Sequence, residues 1–187
     1  MPPLFLIRHG ESSWNTLGLA QGHNDQARLT LRGQRQAAEA AERFRGQPVG
    51  ALYASDLRRA LETAAAFSHV LGLPVRADAR LRERSLGVLE GTASAAISQD
   101  ALGLEDGRVA DPDARPAGGE SVRDLYLRAA AFCNDLDDAI ADVVVVVAHG
   151  GTLRVLHAYL NGIPVEEMSW EPLENARILR IPDFATR

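Results

Sequence analysis

Two apolar runs, each ending directly in a histidine and a glycine, constrain the fold of this chain more than any other feature. Residues 4–7 lead into Arg8 and His9, and residues 143–148 lead into His149. Short, uninterrupted apolar runs are typical of parallel strands that are buried on both faces. Ligands bind at the carboxyl edge of such open sheets. The two runs therefore predict an α/β fold in which His9 and His149 can meet at that edge.

Arg8 and His9 together suggest an anion site at the end of the first strand. The guanidinium of Arg8 offers a planar fork of donors that matches phosphate. Its positive charge also disfavours protonation of the neighbouring imidazole, so that His9 is held in the neutral, nucleophilic form. Gly10 would let the backbone approach a ligand closely. The residues alone leave a second interpretation open, in which a strand merely ends in a surface arginine and histidine.

The rest of the chain alternates between strands and helices, which predicts a layered α/β sheet. Further strands are predicted at residues 49–54, near 75–78 and within 173–181. Helices are predicted from about 31 to 45, from Ser55 or Asp56 to about 71, after Ser121 to about 140, and from Leu153 to about 160. Residues 16–29 are polar and glycine-containing, and are predicted to form a loop over the strand end.

Residues 85–118 form a segment that is rich in Gly, Ala, Pro and Asp and has weak periodicity. This composition predicts short helices and loops, inserted over the sheet edge. Because loops at such an edge carry much of the binding specificity, we expect this segment to determine substrate specificity. No linker or internal repeat is recognisable, and we expect residues 1–187 to form a single domain.

Charge and cysteine content argue against several classes of protein. The chain has 187 residues, a formal net charge of −5 and one cysteine, Cys133. A single cysteine cannot form an intramolecular disulfide, and the negative charge argues against general nucleic-acid binding. No secretory leader or membrane-length apolar run is recognisable, so we expect a cytoplasmic protein without membrane contact. The sequence leaves the oligomeric state open.

Four short motifs, spread in order over most of the chain, resemble those of the histidine phosphatase superfamily, also called the phosphoglycerate mutase-like family. They are Arg8-His9-Gly10-Glu11-Ser12 with Asn15, Ser55-Asp56-Leu57-Arg58-Arg59-Ala60 with Thr63, Glu83 within Leu81-Arg82-Glu83-Arg84, and His149-Gly150-Gly151. Each motif alone is short enough to arise by chance, whereas the ordered set is specific. The resemblance implies a three-layer sandwich in which helices flank a mostly parallel central sheet.

The resemblance also implies roles for the basic residues of these motifs. His9 would attack phosphorus and form a phosphohistidine, while Arg8, Arg59 and His149 would bind the transferred phosphoryl group. Arg59 is preferred to Arg58 because the family pattern places its arginine directly before an alanine and four residues before a threonine. Two alternatives stay open: His9 could orient the substrate while water attacks, and His149 could be a zinc ligand or an ordinary strand-end histidine.

Glu83 is the general acid and base that the resemblance implies. It would protonate the leaving oxygen and later take a proton from water, provided that desolvation in the closed site keeps it protonated. By composition alone, an ion pair with Arg82 or Arg84 in a charged loop is the competing interpretation. The implied substrate-binding set is completed by Asn15, Gln21, Gly22 and Gly150. Asn15 could instead be an ordinary loop asparagine that bonds its own backbone.

The predicted function is hydrolysis of a small-molecule phosphoester without a metal or another cofactor. Metal-ligand spacings are absent around the two histidines, and two nearby arginines would repel a cation. True mutases of the family carry Glu-Arg-His-Tyr-Gly where residues 83–87 of this chain read Glu-Arg-Ser-Leu-Gly. The chain is therefore similar to the short phosphatase branch. A cofactor-dependent phosphoglycerate mutase and a non-catalytic phosphate-binding module are the alternatives.

Overall fold

The computed structural model describes residues 3–137, 140 and 142–181, which contain one five-stranded sheet and one two-stranded hairpin. The strands are β1 (Leu4–Arg8), β2 (Val49–Ala54), β3 (Val75–Ala77), β4 (Leu104–Glu105), β5 (Arg108–Val109), β6 (Val143–Ala148) and β7 (Ile178–Ile181). The α-helices are α1 (Ser13–Thr16), α2 (Leu31–Glu42), α3 (Arg58–Leu71), α4 (Val122–Asn134) and α5 (Gly150–Leu160). Within the described ranges, none of these helices combines the length and the apolar content that crossing a bilayer requires.

The order of the strands in the main sheet brings three strand ends to one edge. The order is β3-β2-β6-β1-β7, and β7 runs antiparallel to β1 while the other pairs are parallel. Arg8 of β1 is in register with Ala148 of β6, and Ala54 of β2 is in register with Val147. The residues that follow β1, β2 and β6 therefore start from neighbouring points on the carboxyl edge.

Helices cover both faces of the main sheet. Phe67 of α3 and Phe44, two residues after α2, join one buried apolar cluster, whereas Leu153 of α5 belongs to the cluster on the other face. Successive residues of β1 alternate between them, since Leu6 points into one cluster and Ile7 into the other. This arrangement is a three-layer α/β sandwich with a mostly parallel sheet, and the predicted fold class is confirmed.

Several predicted helix boundaries differ from the structure. Helix α1 lies at the edge of the predicted loop, α2 ends at Glu42 and α4 ends at Asn134 rather than near 140. Helix α5 begins at Gly150 rather than Leu153. The glycine pair after His149 suggests a turn, but the extended backbone of His149 leads straight into the helix. The N-terminus of α5 therefore lies directly at the end of β6.

The segment 85–118 folds into short elements, in agreement with its composition. It contains 3₁₀ turns at Gly87–Leu89, Ser94–Ala96 and Asp100–Leu102, followed by the β4–β5 hairpin. The segment connects β3 to α4 across the carboxyl edge of the sheet. The single-domain organisation over 1–187 stays a prediction.

Candidate active site

The two predicted histidines lie side by side at the carboxyl edge of the sheet. His9 follows β1 and His149 follows β6, and the centroids of their rings are 5.2 Å apart. Both residues are buried. The structure thus brings together two imidazoles that are separated by most of the chain.

The ring of His9 is fixed in one tautomer by its own backbone neighbour. Its Nδ1 lies 2.8 Å from the carbonyl oxygen of Gly10. Because a carbonyl can only accept, Nδ1 carries the proton and Nε2 carries the lone pair. Burial lowers the pKa of His9 well below its ordinary value, and the charges of Arg59 and Arg8 lower it further. His9 is therefore neutral at neutral pH, which is the state that a nucleophile needs.

Both ring nitrogens of His149 have hydrogen-bond partners. Its Nδ1 accepts a hydrogen bond from Nε of Arg59 at 3.2 Å, and its Nε2 lies 2.8 Å from Oγ of Ser55. Since Arg59 can only donate, the proton is on Nε2, which donates to Ser55. Burial and the charge of Arg59 hold the pKa of His149 well below its usual value. This arrangement leaves neither nitrogen free for zinc, which argues against that alternative.

Arg59 is the buried member of the arginine pair, as the family pattern implied. It is 1% exposed, and its Nη1 and Nη2 donate to the carbonyls of Asn24 and Gly22 at 2.9 and 2.8 Å. Burial lowers the pKa of Arg59 to about 10, and nearby carboxylates oppose this shift. The guanidinium is therefore still charged at neutral pH. Arg58, by contrast, is exposed.

Arg8 contains a buried donor without an acceptor. Its Nη1 donates to the carbonyl of Leu173. Its Nε is buried and has no hydrogen-bond partner among residues 3–137, 140 and 142–181. An unsatisfied buried N–H group costs roughly 1–3 kcal/mol and is rare in native structures. An anion in the cavity that Arg8 lines would satisfy it.

Glu83 is held by two backbone amides. Its Oε1 accepts a hydrogen bond from the N–H of Arg84 at 2.8 Å, and its Oε2 accepts one from the N–H of Gly151 at 2.9 Å. Arg82 pairs with Asp56, and the guanidinium of Arg84 donates to backbone carbonyls. In the described part of the chain, neither arginine side chain pairs with Glu83. The carboxyl group is instead anchored to the first turn of α5.

A cavity of about 240 Å³ opens beside these side chains. Its wall includes six predicted site residues: Arg8, His9, Gln21, Gly22, Arg59 and Glu83. Three other predicted residues, Asn15, His149 and Gly150, are not part of this wall. The volume is below the range of about 300–1,000 Å³ that is typical of sites for drug-sized ligands. The cavity therefore fits a small ligand.

The cavity also contains residues that the sequence did not single out. Arg154 and Trp170 line it, and the guanidinium carbon of Arg154 lies 5.1 Å from the centre of the Trp170 ring. The segment 85–118 contributes a mostly apolar part of the wall: Leu86, Ser94, Ile97, Leu102 and Leu104. Arg154 could have been found from sequence, because it lies about one helical turn after the second His-Gly pair. No sequence pattern marks Trp170.

Asn15 is oriented by two N–H donors. Its Oδ1 accepts hydrogen bonds from the backbone N–H of Ser12 at 3.0 Å and from Nδ2 of Asn175 at 3.2 Å. The same Nδ2 lies 3.1 Å from the carbonyl oxygen of His9. With Oδ1 occupied, the amide group of Asn15 is left to donate. Asn15 therefore bonds its own backbone segment, as the local interpretation predicted, and its Nδ2 makes no hydrogen bond to any residue that the structure describes. Asn175 was missed by the sequence analysis.

One expectation about the backbone near the site is wrong. The N-cap of α3 is Leu57 rather than Ser55 or Asp56, since Ser55 bonds the second histidine and Asp56 pairs with Arg82. Gly10 has a packing role, and its expected role in the close approach of a ligand stays a prediction. A Cβ atom at Gly10 would lie 2.4 Å from the carbonyl oxygen of Gly33, so the missing side chain lets α2 pack against the end of β1.

Comparison with known proteins supports the resemblance found in the sequence. The histidine phosphatase superfamily (branch 1) matches residues 4–182. A probable phosphoglycerate mutase GpmB of Klebsiella pneumoniae is 35% identical over 183 residues, which cover 97% of this chain and 85% of the relative. A putative phosphoserine phosphatase 2 of Hydrogenobacter thermophilus is 33% identical over 182 residues, covering 97% and 89%.

A solved structure agrees with the fold as well as with the sequence. The mycobacterial glucosyl-3-phosphoglycerate phosphatase in complex with VO3 has a TM-score of 0.83 and 34% identity, and the match covers 96% of this chain and 90% of that one. The family match runs from the first residue of β1 to beyond the last residue of β7, so it spans the whole sheet rather than one motif. The predicted resemblance is confirmed, and this chain belongs to the histidine phosphatase superfamily, branch 1.

Proposed function

We propose that this chain hydrolyses a small phosphomonoester through a phosphohistidine on His9. The observation that carries the proposal is the pairing of a neutral imidazole with an unsatisfied guanidinium donor. Nδ1 of His9 is tied to its backbone neighbour, which leaves the lone pair on Nε2, and His9 and Arg8 line the same cavity. A phosphate group supplies both an electrophile for Nε2 and an acceptor for Nε of Arg8.

In the first step, Nε2 of His9 forms a bond to phosphorus as the bond from phosphorus to the ester oxygen breaks. Arg8 and Arg59 stabilise the negative charge on the equatorial oxygens. Glu83 gives its proton to the leaving oxygen, which departs as an alcohol. The products of this step are the alcohol, the phosphohistidine and the Glu83 carboxylate.

In the second step, water attacks the phosphohistidine and Glu83 takes a proton from that water. The bond from phosphorus to Nε2 breaks, so inorganic phosphate leaves and His9 is regenerated. The fixed position of Glu83 against the first turn of α5 lets one carboxyl group serve both steps. No step uses a metal, because the two guanidinium groups supply the positive charge.

The remaining predicted residues complete the phosphoryl site in this proposal. The free amide of Asn15 and the side chain of Gln21 donate to phosphoryl oxygens, and the backbone at Gly22 and Gly150 lies next to the same site. His149 orients Arg59 through a hydrogen bond at Nδ1. In the complex, the Nε2–H group of His149 donates to a phosphoryl oxygen in place of Oγ of Ser55. Cytoplasmic location and the absence of nucleic-acid and membrane partners stay predictions.

A phosphoenzyme assay tests the proposal. The protein, incubated with a radiolabelled phosphomonoester in excess chelator, is expected to keep its activity and to form an acid-labile, base-stable phosphoenzyme. The variant His9→Ala should form none, whereas the control His69→Ala, at an exposed position of α3, should match the wild type. Activity that disappears with chelator, or an adduct that persists in His9→Ala, would refute the mechanism.

A phosphoglycerate mutase is the second candidate, because the Klebsiella pneumoniae relative carries that name. A mutase transfers the phosphoryl group back to a substrate hydroxyl, whereas a phosphatase transfers it to water. Product analysis with 3-phosphoglycerate separates the two reactions. Release of inorganic phosphate at the rate of substrate loss supports the phosphatase, and accumulation of 2-phosphoglycerate supports the mutase.

A further inference from the structure

Among the described residues, four arginines that line the cavity have no carboxylate partner, and one of them, Arg84, donates instead to three backbone carbonyls. Within residues 3–137, 140 and 142–181, no carboxylate oxygen lies within 4.0 Å of the guanidinium nitrogens of Arg8, Arg59 or Arg154. Nearby arginines outside the cavity are paired, for example Arg82 with Asp56. Partly buried charges in proteins are normally paired, so the exceptions indicate positions where a ligand supplies the negative charge.

A single phosphate group accounts for two of these arginines. Arg8 and Arg59 line the same cavity as His9, where the proposed function places the transferred phosphoryl group. A phosphomonoester dianion balances their two charges. Arg154 then remains as an additional cation that the phosphoryl group does not require.

Arg154 is held rigidly, with its terminal nitrogens free. Its Nε donates to the carbonyl of Glu171 at 2.7 Å, and its guanidinium lies over the ring of Trp170. Across the part of the chain that the structure describes, Nη1 and Nη2 of Arg154 make no hydrogen bond. This is the geometry of a preorganised fork, in which the stem is fixed and two parallel N–H groups are available to a carboxylate.

The position of Arg154 relative to the phosphoryl site limits the size of the ligand. A Cβ atom built on Gly150 would lie 3.2 Å from Nη1 of Arg154 and 3.8 Å from Nε of Arg8, so the two guanidinium groups approach the same point. Both groups line the cavity of about 240 Å³. Two negative groups of one ligand, separated by only a few bonds, can therefore reach both arginines.

We infer that Arg154 binds a carboxylate of the substrate, and that the preferred substrates are small phosphomonoesters with a carboxylate close to the ester. The inference rests on the proposed function and deepens it. Three other residues of the wall, Leu86, Ile97 and Leu102, offer apolar contact rather than hydrogen bonds to a sugar. Arg154 is thus a specificity-determining residue of the phosphatase site.

A matched pair of ligands tests the inference. 3-Phosphoglycerate and glycerol 3-phosphate differ only in having a carboxylate or a hydroxymethyl group two bonds from the carbon that carries the phosphate. Each is measured as a competitor of p-nitrophenyl phosphate hydrolysis, and the ratio of the two inhibition constants is the readout. The wild type should bind 3-phosphoglycerate more tightly, and Arg154→Met should reduce this preference about 10- to 100-fold, as expected for a lost charge-assisted fork.

Two further variants separate a carboxylate contact from general effects. Arg76→Met removes a charge from an exposed arginine that lies over Tyr53, outside the cavity, and should leave the ratio unchanged. Arg154→Lys keeps the charge without the fork and should retain part of the preference. If Arg154 had only a structural role, its loss would weaken the binding of both ligands equally. An unchanged ratio of inhibition constants in Arg154→Met would therefore overturn the inference. A wild type that hydrolyses none of the three esters would count against the proposed function itself.

Discussion

The substitution Gly151→Ala should displace the carboxyl group of Glu83 and so impair it, although Glu83 itself is not substituted. A Cβ atom at Gly151 would lie 2.3 Å from Oε1 of Glu83 and 3.2 Å from its Cδ. The flexible carboxyl group must then move by about 1 Å to regain an ordinary contact distance. Its 2.9 Å hydrogen bond to the N–H of Gly151 is lost in the process. Gly151 does not have a positive φ, so alanine fits the backbone of α5.

The expected loss follows from this displacement. A misplacement of about 1 Å in a catalytic group can cost about 100-fold in rate, which corresponds to about 2.7 kcal/mol in the activation free energy. Alanine is favoured over glycine within a helix by about 1 kcal/mol, so the free energy of unfolding should not fall. Gly151→Ala should therefore remain folded while losing activity.

Two substrates with different leaving groups provide the assay. The parameter kcat/KM reports on phosphoenzyme formation, in which Glu83 protonates the leaving oxygen. An alkyl ester such as 3-phosphoglycerate needs that proton, and its kcat/KM should fall about 100-fold. p-Nitrophenolate is a stable anion, so the kcat/KM of p-nitrophenyl phosphate should fall by less than about 10-fold.

The double variant Gly151→Ala/Glu83→Gln is the control for this reasoning. If Gly151→Ala acts only through Glu83, the double variant should be no slower than Glu83→Gln alone. Additive losses, or equal losses for the two leaving groups, would show that the new methyl group acts elsewhere. Full activity in the single variant Gly151→Ala would also refute the role of the Gly151 amide.

Three other predictions concern residues around the site. The pKa values of His9 and His149 are lowered on folding, so the unfolded chain binds more protons than the folded one below about pH 6.5. The free energy of unfolding should therefore decrease as pH falls. Its slope should approach about 1.4 kcal/mol per pH unit for each histidine. Urea unfolding from pH 7.5 to 5 measures this slope, which His9→Gln should lower. Asn175→Ala should raise KM and lower kcat several-fold by releasing Asn15, with little change in Tm. Gly10→Ala should cost about 1–3 kcal/mol of stability in urea unfolding, because its Cβ meets backbone in α2.

The centre of the site could be predicted from sequence because its two histidines directly follow strands of the sheet. His9 and His149 each follow a short apolar run, and the ends of parallel strands converge whatever lies between them. The choice of Arg59 over Arg58 needed the family pattern. Both residues are arginines, and adjacent side chains on a helix differ only in the direction in which they point. The structure separates them clearly, as one is buried and the other exposed.

The outer part of the site could not be predicted, because long-range contacts define it. Trp170 and Asn175 lie in irregular backbone before β7, where no periodicity links them to β1 or α5. The start of α3 was misassigned for a similar reason. Ser55 has the chemistry of a helix cap, but its hydroxyl group bonds the imidazole at the end of a neighbouring strand. The same oxygen also accepts a hydrogen bond from the backbone N–H of Leu57, so Ser55 makes a local contact and a tertiary contact at once without becoming the helix cap.

The placement of β1 between β6 and β7 has a consequence for protein synthesis. The ribosome makes His9 before either neighbour of its strand, because β6, β7 and the Leu173 carbonyl that holds Arg8 all belong to residues 143–181. Until those residues have emerged, β1 lacks the pairing that fixes its end, and such distant pairing is slow to form. A translation product that stops before residue 143 therefore contains His9 and Arg8 without the strand pairing and the carbonyl that fix their positions.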